Sequence, residues 1–187
     1  STSGEHSSPN IEWHVQPLSL DKFGEPLHKF NAITPAVCNL RPTSRGEISI
    51  ISPKADVHPT IKLNYLSTTE DQEVAVEGLK FTRRIMRAKA LERFEPNEWL
   101  PGKQAETDSQ LLDAARELGT TIFHPVGTCK MGSDNEAVVD DKLRVRGLSS
   151  VRVIDASIMP TITSGNTNAP TVMIAEKGAQ FILDQYH

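Results

Sequence analysis

The chain has 187 residues, enough for one domain of ordinary size or for two small ones. Its hydrophobic share of 37% and charged share of 24% are typical of a soluble globular protein, and its net charge of −4 argues against a surface for nucleic acid or acidic lipid. The longest apolar runs are far shorter than the roughly 20 residues that a membrane-spanning helix needs. Two cysteines are too few for a disulfide scaffold, so we expect a reducing compartment and a cytoplasmic location.

The first ten residues, STSGEHSSPN, are rich in serine and begin without methionine. This composition is typical of a flexible terminus, so we predict that residues 1–10 form no regular structure. It also leads us to expect that the chain is part of a longer protein.

Four segments after this terminus predict strands. In residues 11–17, IEWHVQP, apolar and polar side chains alternate, which indicates a strand with one buried face and places His14 on the solvated face. Three further candidates, separated by Pro, Gly, Ser and Asp, are residues 32–40, 47–52 and 60–66. Because the connections are too short for parallel crossovers, we expect an antiparallel sheet.

Two helices are predicted next. Thr69 is placed to cap the first one, whose opening residues are acidic, as a helix N-terminus favours. In the second, Thr107 and Gln110 have the spacing of a capping box. Gly119 stands where a glycine commonly follows the last helical residue.

The last part of the chain predicts two short strands and a long helix. The strands, residues 142–147 and 149–157, flank a turn. The helix covers residues 168–186, with Pro170 in its first turn, where the missing N–H is harmless. Helical spacing predicts a buried face formed by Val172, Ala175, Ala179 and Ile182. We expect Met173 to pack in the core as well.

Between these elements lies the segment TIFHPVGTCKMG, residues 121–132, which follows neither a helical nor a strand period. By spacing alone His124 is more often structural than catalytic. A zinc site built on His124 and Cys129 lacks further ligands at usable spacing, so we predict no metal site here. For Cys129 itself we favour a buried, unreactive thiol, because a nucleophilic cysteine needs a base and a lowered pKa that the sequence does not show.

Two other short segments have two interpretations each. In TSGNTNAP, residues 163–170, Asn166 or Asn168 could cap the following helix, or the helix N-terminus could hold a developing anion. Asp155 lies at the C-terminal end of a predicted strand and precedes small residues, so it could approach a ligand closely or simply form a turn.

Several of these motifs, taken in order, resemble the C-terminal signature of the glucose–methanol–choline (GMC) family of flavin oxidoreductases. The resemblance rests on HPVGTCKMG, AVVDDKLRVRGLSSVRVIDASIMP and NTNAPTVMIAEKGA, and covers residues 123–182. RPTSRGEISIIS and IKLNYLSTTEDQEVAVEGL resemble the family's substrate-domain segments and extend the match to about Arg41. The segment around His124 is more similar to alcohol and choline dehydrogenase-like members than to sugar oxidases.

The resemblance implies an α+β fold. Residues 11–120 would form a substrate-binding domain, an antiparallel sheet flanked by helices, and residues 121–187 would supply the active-site segment and a strand–helix part of a Rossmann-like FAD domain. The family's glycine fingerprint G-x-G-x-x-G, which holds the flavin pyrophosphate, does not occur in this chain. We therefore expect FAD to bind in the complete protein, with an N-terminal FAD-binding portion of the same protein as partner.

The resemblance also implies the reaction, oxidation of an alcohol to an aldehyde by hydride transfer to flavin. It assigns His124 as the base and Asn168 as the partner that orients the substrate. The residues that it maps to FAD contacts are Asp155, Ala156, Asn168, Pro170 and Thr171. The site motifs contain no Trp or Tyr for an aromatic cage, which favours an uncharged primary alcohol over a quaternary ammonium compound.

The sequence leaves two other functions open. One is a non-enzymatic domain that keeps the substrate-domain fold and has lost flavin. The other is a metal-dependent hydrolase around His124, which the shortage of ligands disfavours.

Overall fold

The computed structural model describes residues 8–22 and 24–186 and shows an α+β chain, as expected. Most of the predicted flexible start, residues 1–7, lies outside the described residues. The chain forms two compact units, each built from two separate stretches: residues up to 44 with 66–120, and residues 45–65 with 121 onward. Residues 45–65, which we assigned to the substrate-binding domain, thus pack with the second unit. Within the described residues no helix is both long and apolar enough to cross a membrane.

The first unit begins with an antiparallel pair, β1 (Ile11–Gln16) and β2 (Thr34–Asn39), which confirms two predicted strands. Trp13 of β1 donates its indole N–H to the Thr82 hydroxyl at 2.8 Å, and its ring packs on Phe81. His14 departs from expectation because its side chain is only 26% exposed rather than solvated.

Helix α1 (Thr69–Met86) is anchored at its first turn. Thr68, not Thr69, caps it, since its hydroxyl accepts from the Asp71 backbone N–H. The buried Asp71 carboxylate accepts hydrogen bonds from the Asn39 side chain and from the backbone N–H groups of Thr43 and Ser44, at 2.8 to 3.1 Å. This one carboxylate therefore holds the end of β2 and the following loop against α1.

Helix α2 (Asp108–Leu118) begins with the predicted capping box, in which Thr107 and Gln110 bond reciprocally, and Gly119 follows its last residue. Leu111 of α2 is fully buried and packs with Val76 of α1 and Ala105. The unit's core thus lies between α1 and α2.

The second unit contains a short hairpin and a long helix. Its strands, β3 (Glu47–Ser49) and β4 (Thr60–Lys62), pair antiparallel and are shorter than predicted. The described part of the chain thus contains two two-stranded sheets. The strands predicted over residues 142–147 and 149–157 appear only as isolated bridges, one of which joins Arg144 to Arg152. Turns with left-handed backbone at Leu143 and Ser150 keep a longer ladder from forming.

Helix α3 (Asn168–Tyr186) has the predicted bounds, but its buried face is displaced. Ile174 and Gly178 are buried, whereas Val172 and Met173 are 54% and 59% exposed, so the predicted stripe is wrong. The cause is Gly178, because a Cβ there would lie 2.6 Å from Ile154 Cγ2. The helix approaches the preceding segment through its glycine rather than through its larger aliphatic residues.

Candidate active site

The loop of residues 121–132 is anchored to the segment that precedes α3. The backbone N–H of Cys129 donates to the Ser157 carbonyl at 3.0 Å, and that of Met131 donates to the Ile158 carbonyl at 2.8 Å. Gly127 has a left-handed φ of 91° and lies where an added Cβ would stand 3.4 Å from the Met159 carbonyl oxygen. The loop is irregular, as predicted, and held by backbone contacts on its C-terminal side.

His124 contacts the start of α3. Its Nδ1 lies 2.9 Å from the hydroxyl oxygen of Thr167, a residue 43 positions later that is only 7% exposed. The imidazole itself is half-buried. With Nδ1 engaged by Thr167, Nε2 is the ring nitrogen available to exchange a proton with a bound molecule.

Thr167 also begins the hydrogen bonding of α3. Its carbonyl accepts from the backbone N–H of Thr171 at 3.0 Å and from the Thr171 hydroxyl at 2.6 Å. The position before the helix is therefore held by Thr167, and neither Asn166 nor Asn168 occupies it. Consecutive Cα atoms are about 3.8 Å apart, so the backbone of Asn168, the first residue of α3, adjoins the contact between His124 and Thr167.

The N-terminus of α3 suits an electron-rich group. A helix of 19 residues presents unpaired N–H groups and a partial positive charge at its first turn. Asn168 and Ala169 are exposed there, Pro170 and Thr171 are half-buried, and no acidic side chain occupies that turn. The turn thus offers partial positive charge to an electron-rich ligand, and contact of Asn168, Pro170 and Thr171 with FAD stays a prediction.

Asp155 has a local structural role. Its carboxylate accepts from the backbone N–H of Ser157 at 2.8 Å and from the Ser157 hydroxyl, and so caps the short 3₁₀ helix Ala156–Ile158. This is the turn interpretation of Asp155. Since Ser157 also binds Cys129, the capped helix positions the loop that carries His124. Contact of Asp155 and Ala156 with FAD stays a prediction.

The structure gives no support to a zinc site on His124. Within residues 8–22 and 24–186, the one group of three metal-ligating side chains lies in the first unit and includes neither His124 nor Cys129. Cys129 is half-buried, whereas we predicted a buried thiol, so it is more exposed than expected.

Sequence reasoning missed Thr167. The only local signal was a threonine between two asparagines, and those asparagines were the better-known capping types. The contact with His124 spans 43 positions and is set by how the loop meets α3.

Comparison with known proteins extends these findings. The sequence model of the family described as GMC oxidoreductase matches residues 42–175. The chain is 41% identical over 182 residues to an alcohol dehydrogenase [acceptor] of Pseudomonas putida, and 44% identical over 181 residues to an oxygen-dependent choline dehydrogenase of Proteus mirabilis. Each match covers 97% of this chain but 33% of the relative, so the chain spans about a third of the length of these curated relatives.

Solved structures agree. Pyridoxine 4-oxidase from Mesorbium loti has a TM-score of 0.85 at 31% identity, and the match covers 96% of this chain and 35% of that one. An FAD-dependent oxidoreductase from Chaetomium thermophilum has a TM-score of 0.75 at 29% identity, covering 80% and 26% of the two chains. A family match over most of the chain, relatives above 40% identity and the shared fold lead to one conclusion: the chain belongs to the GMC oxidoreductase family.

Proposed function

We propose that the protein containing this chain is an FAD-dependent oxidoreductase that oxidises a small alcohol to an aldehyde, with His124 as base and Asn168 as the residue that orients the substrate. The observation that carries the proposal is the 2.9 Å contact between His124 Nδ1 and the Thr167 hydroxyl, which joins an imidazole to the residue directly before α3. The chemistry named for the relatives, alcohol and choline dehydrogenation, supports it.

The role of His124 follows from the chemistry of alcohols. A carbon that bears an intact hydroxyl donates hydride poorly, so the O–H proton must leave as the C–H bond breaks. A neutral imidazole can accept that proton at Nε2. FAD, when bound, supplies the acceptor for the hydride. The alcohol thus loses one proton and one hydride, and a C=O bond forms.

Asn168 and the start of α3 would assist the same hydride transfer. The exposed carboxamide of Asn168 can hydrogen-bond the substrate oxygen and fix its angle toward the acceptor. The helix N-terminus can stabilise negative charge that develops beside it, because its dipole is fixed before the reaction begins. Pro170 and Thr171, in the same turn, would line the position where that negative charge develops.

Replacement of His124 by Ala in the complete enzyme tests the proposal. We expect flavin reduction in a single turnover to slow by roughly 100-fold or more, the usual scale for loss of a general base. His58, an exposed histidine, provides the matched control, since His58→Ala should leave the rate unchanged. A normal rate in His124→Ala would refute the role of His124.

The same measurement addresses the substrate class. We infer an uncharged primary alcohol, because the motifs around His124 and Asn168 offer neither an aromatic cage nor a spare carboxylate for a quaternary ammonium group. Flavin reduction in the wild type should then be faster with primary alcohols than with choline, and the opposite order would contradict this inference.

A further inference from the structure

One face of the β1–β2 ribbon carries three different metal-ligating side chains. Glu12 and Cys38 are directly opposite each other in the register, and His14 lies two residues after Glu12. Residues two apart on a strand share a face, and opposed residues have their Cβ atoms about 5 Å apart. The carboxylate, imidazole and thiol atoms consequently lie within 4.8 Å of one another.

The imidazole of His14 lacks a hydrogen-bond partner in this group. Its Nε2 is buried and forms no hydrogen bond with any part of the chain that the structure describes. The Glu12 carboxylate oxygen is 3.7 Å away, which is too long for a hydrogen bond. A buried polar atom without a partner costs free energy, so this nitrogen has capacity for a ligand.

The ribbon holds these side chains on a supported scaffold. The other face of the ribbon bears Trp13 and Val37, which pack on α1: Trp13 bonds Thr82, and Val37 lies against Gly78, where an added Cβ would be 3.0 Å from it. The thiol of Cys38 reaches back across the ribbon and donates to the Glu12 carbonyl at 3.5 Å. Strand pairing and helix packing together limit how far the three ligands can separate.

We propose that Glu12, His14 and Cys38 form a binding site for a divalent transition-metal cation of the zinc class. Thiolate and imidazole are ligands that such cations prefer, whereas calcium and magnesium select oxygen ligands. Two ligand atoms on a tetrahedral zinc ion are roughly 3.3–3.6 Å apart, given bond lengths of about 2.0–2.3 Å. The 3.7 Å separation of His14 Nε2 and Glu12 Oε1 is close to this range. The three ligand atoms lie within 4.8 Å of one another, so binding of one ion by all three requires side-chain rotations that shorten the longer separations.

Charge balance favours the same class of ion. When the metal binds, the Cys38 thiol releases its proton to solvent, so a carboxylate and a thiolate bring two negative charges to a partly buried face. The divalent cation neutralises both charges. With three protein ligands, the fourth position of a tetrahedral ion remains for water, as in zinc sites that exchange ligands. The site is therefore expected to bind exchangeable metal, and it is independent of the alcohol chemistry proposed for His124.

Cobalt(II), a spectroscopic substitute for zinc, tests the proposal in the purified protein. Titration should produce an intense thiolate-to-cobalt absorption band that saturates at one equivalent and disappears when zinc is added. Cys38→Ser should abolish the band. Cys129→Ser is the matched control, because Cys129 belongs to the second unit, and this variant should retain the band.

A second variant guards against a folding defect in Cys38→Ser. His14→Gln keeps the thiol and should weaken cobalt binding by more than about tenfold, since even loss of a residue that supports a ligand costs 10- to 100-fold. Circular dichroism verifies that both variants are folded. The proposal is overturned if saturating cobalt gives no thiolate band, if folded Cys38→Ser keeps the band, or if His14→Gln binds as tightly as the wild type.

Discussion

The hydroxyl of Thr167 occupies Nδ1 of His124, so Nε2 is the nitrogen through which the proposed base would act. A threonine hydroxyl can donate or accept, so the 2.9 Å contact with Nδ1 is compatible with either tautomer. The proposed role requires that Nδ1 carries the proton and donates it to the Thr167 oxygen, which leaves Nε2 as the acceptor for the substrate proton. In that role Thr167 would be a positioning residue, which orients the imidazole ring through its hydroxyl.

Thr167→Val removes this hydroxyl and keeps the shape of the side chain. We expect flavin reduction to slow roughly fivefold or more, the equivalent of one lost hydrogen bond, with an altered pH profile and little change in KM. Thr167→Ser should restore both rate and profile. The measurement is single-turnover reduction as a function of pH.

Two outcomes would contradict this role of Thr167: wild-type behaviour of Thr167→Val at every pH, or a Thr167→Ser variant as slow as Thr167→Val. Loss of rate in Thr167→Val with a normal rate in His124→Ala would instead show that the base assignment itself is wrong.

At the scale of elements, features with local causes could be predicted and features with distant causes could not. The capping box of α2 and the bounds of α3 depend on neighbours a few residues apart, and both were predicted correctly. The cap of α1 was missed by one residue because Ser67, Thr68 and Thr69 offer three hydroxyls in a row. Only the observed bounds of the helix decide among them.

The buried face of α3 shows the same limit. Counting aliphatic residues selected a stripe one position away from the face that packs, because the packed face is centred on Gly178, which has no side chain to count. The partner, Ile154, lies 24 positions earlier, and helical periodicity carries no information about it.

Gly178→Ala should therefore destabilise the protein although alanine favours helix. Alanine is better than glycine in a helix by about 1 kcal/mol, but its Cβ would stand 2.6 Å from Ile154 Cγ2, and overpacking of this kind costs about 1–3 kcal/mol. We expect a net loss in the free energy of unfolding, measured by urea titration. Ile154→Ala should relieve the effect in the double variant, since it removes the clashing atoms.

Gly165 is the control for this experiment, because an added Cβ there meets nothing within 4 Å. Two results would disprove the packing argument. One is an equal loss of stability in Gly178→Ala and Gly165→Ala, and the other is that Gly178→Ala costs as much in the Ile154→Ala background as in the wild type.

At the scale of the whole molecule, the hairpin β3–β4 and its flanks expose an unusual amount of aliphatic surface. Ile50 is 88% exposed, and Ile48, Ile51, Ile61 and Leu63 are each about half exposed or more. Exposed aliphatic surface on this scale is typical of a face that packs against further protein. The sequence could predict the strands of this hairpin but not their exposure, which depends on residues elsewhere.

Two carboxylates make the stability of the whole molecule sensitive to acid. Burial opposes the charge of Asp71, but hydrogen bonds from Ser44 and Thr43 outweigh it and hold the pKa of Asp71 below its usual value. Burial likewise opposes the charge of Asp140, and hydrogen bonds from Arg144 and Lys142 lower its pKa to about 2. A carboxyl whose pKa is lower in the folded state stabilises the fold above its unfolded pKa, and this contribution is lost as the pH falls through the folded pKa.

The free energy of unfolding should consequently fall as the pH drops from about 4 toward 2, the window between the ordinary pKa of an aspartate and the lowered pKa of Asp140. Asp71→Asn should cost about 1.5–3 kcal/mol at pH 7, the usual size for hydrogen bonds to a charged group, and should flatten the acid dependence. Denaturant titrations across this pH range measure both effects. The exposed Asp56, changed to Asn, is the control, and an equally steep acid dependence in Asp71→Asn would rule out the assigned role.

Both tryptophans of the chain, Trp13 and Trp99, lie in the first unit. Trp13 is bonded to Thr82 and packed on Phe81, while Trp99 contacts the rings of His28 and Phe30. Intrinsic tryptophan fluorescence therefore reports on the first unit and does not report on the second unit, which contains His124. If the tryptophan fluorescence and the far-ultraviolet circular dichroism give different denaturation midpoints, the two units unfold at different denaturant concentrations.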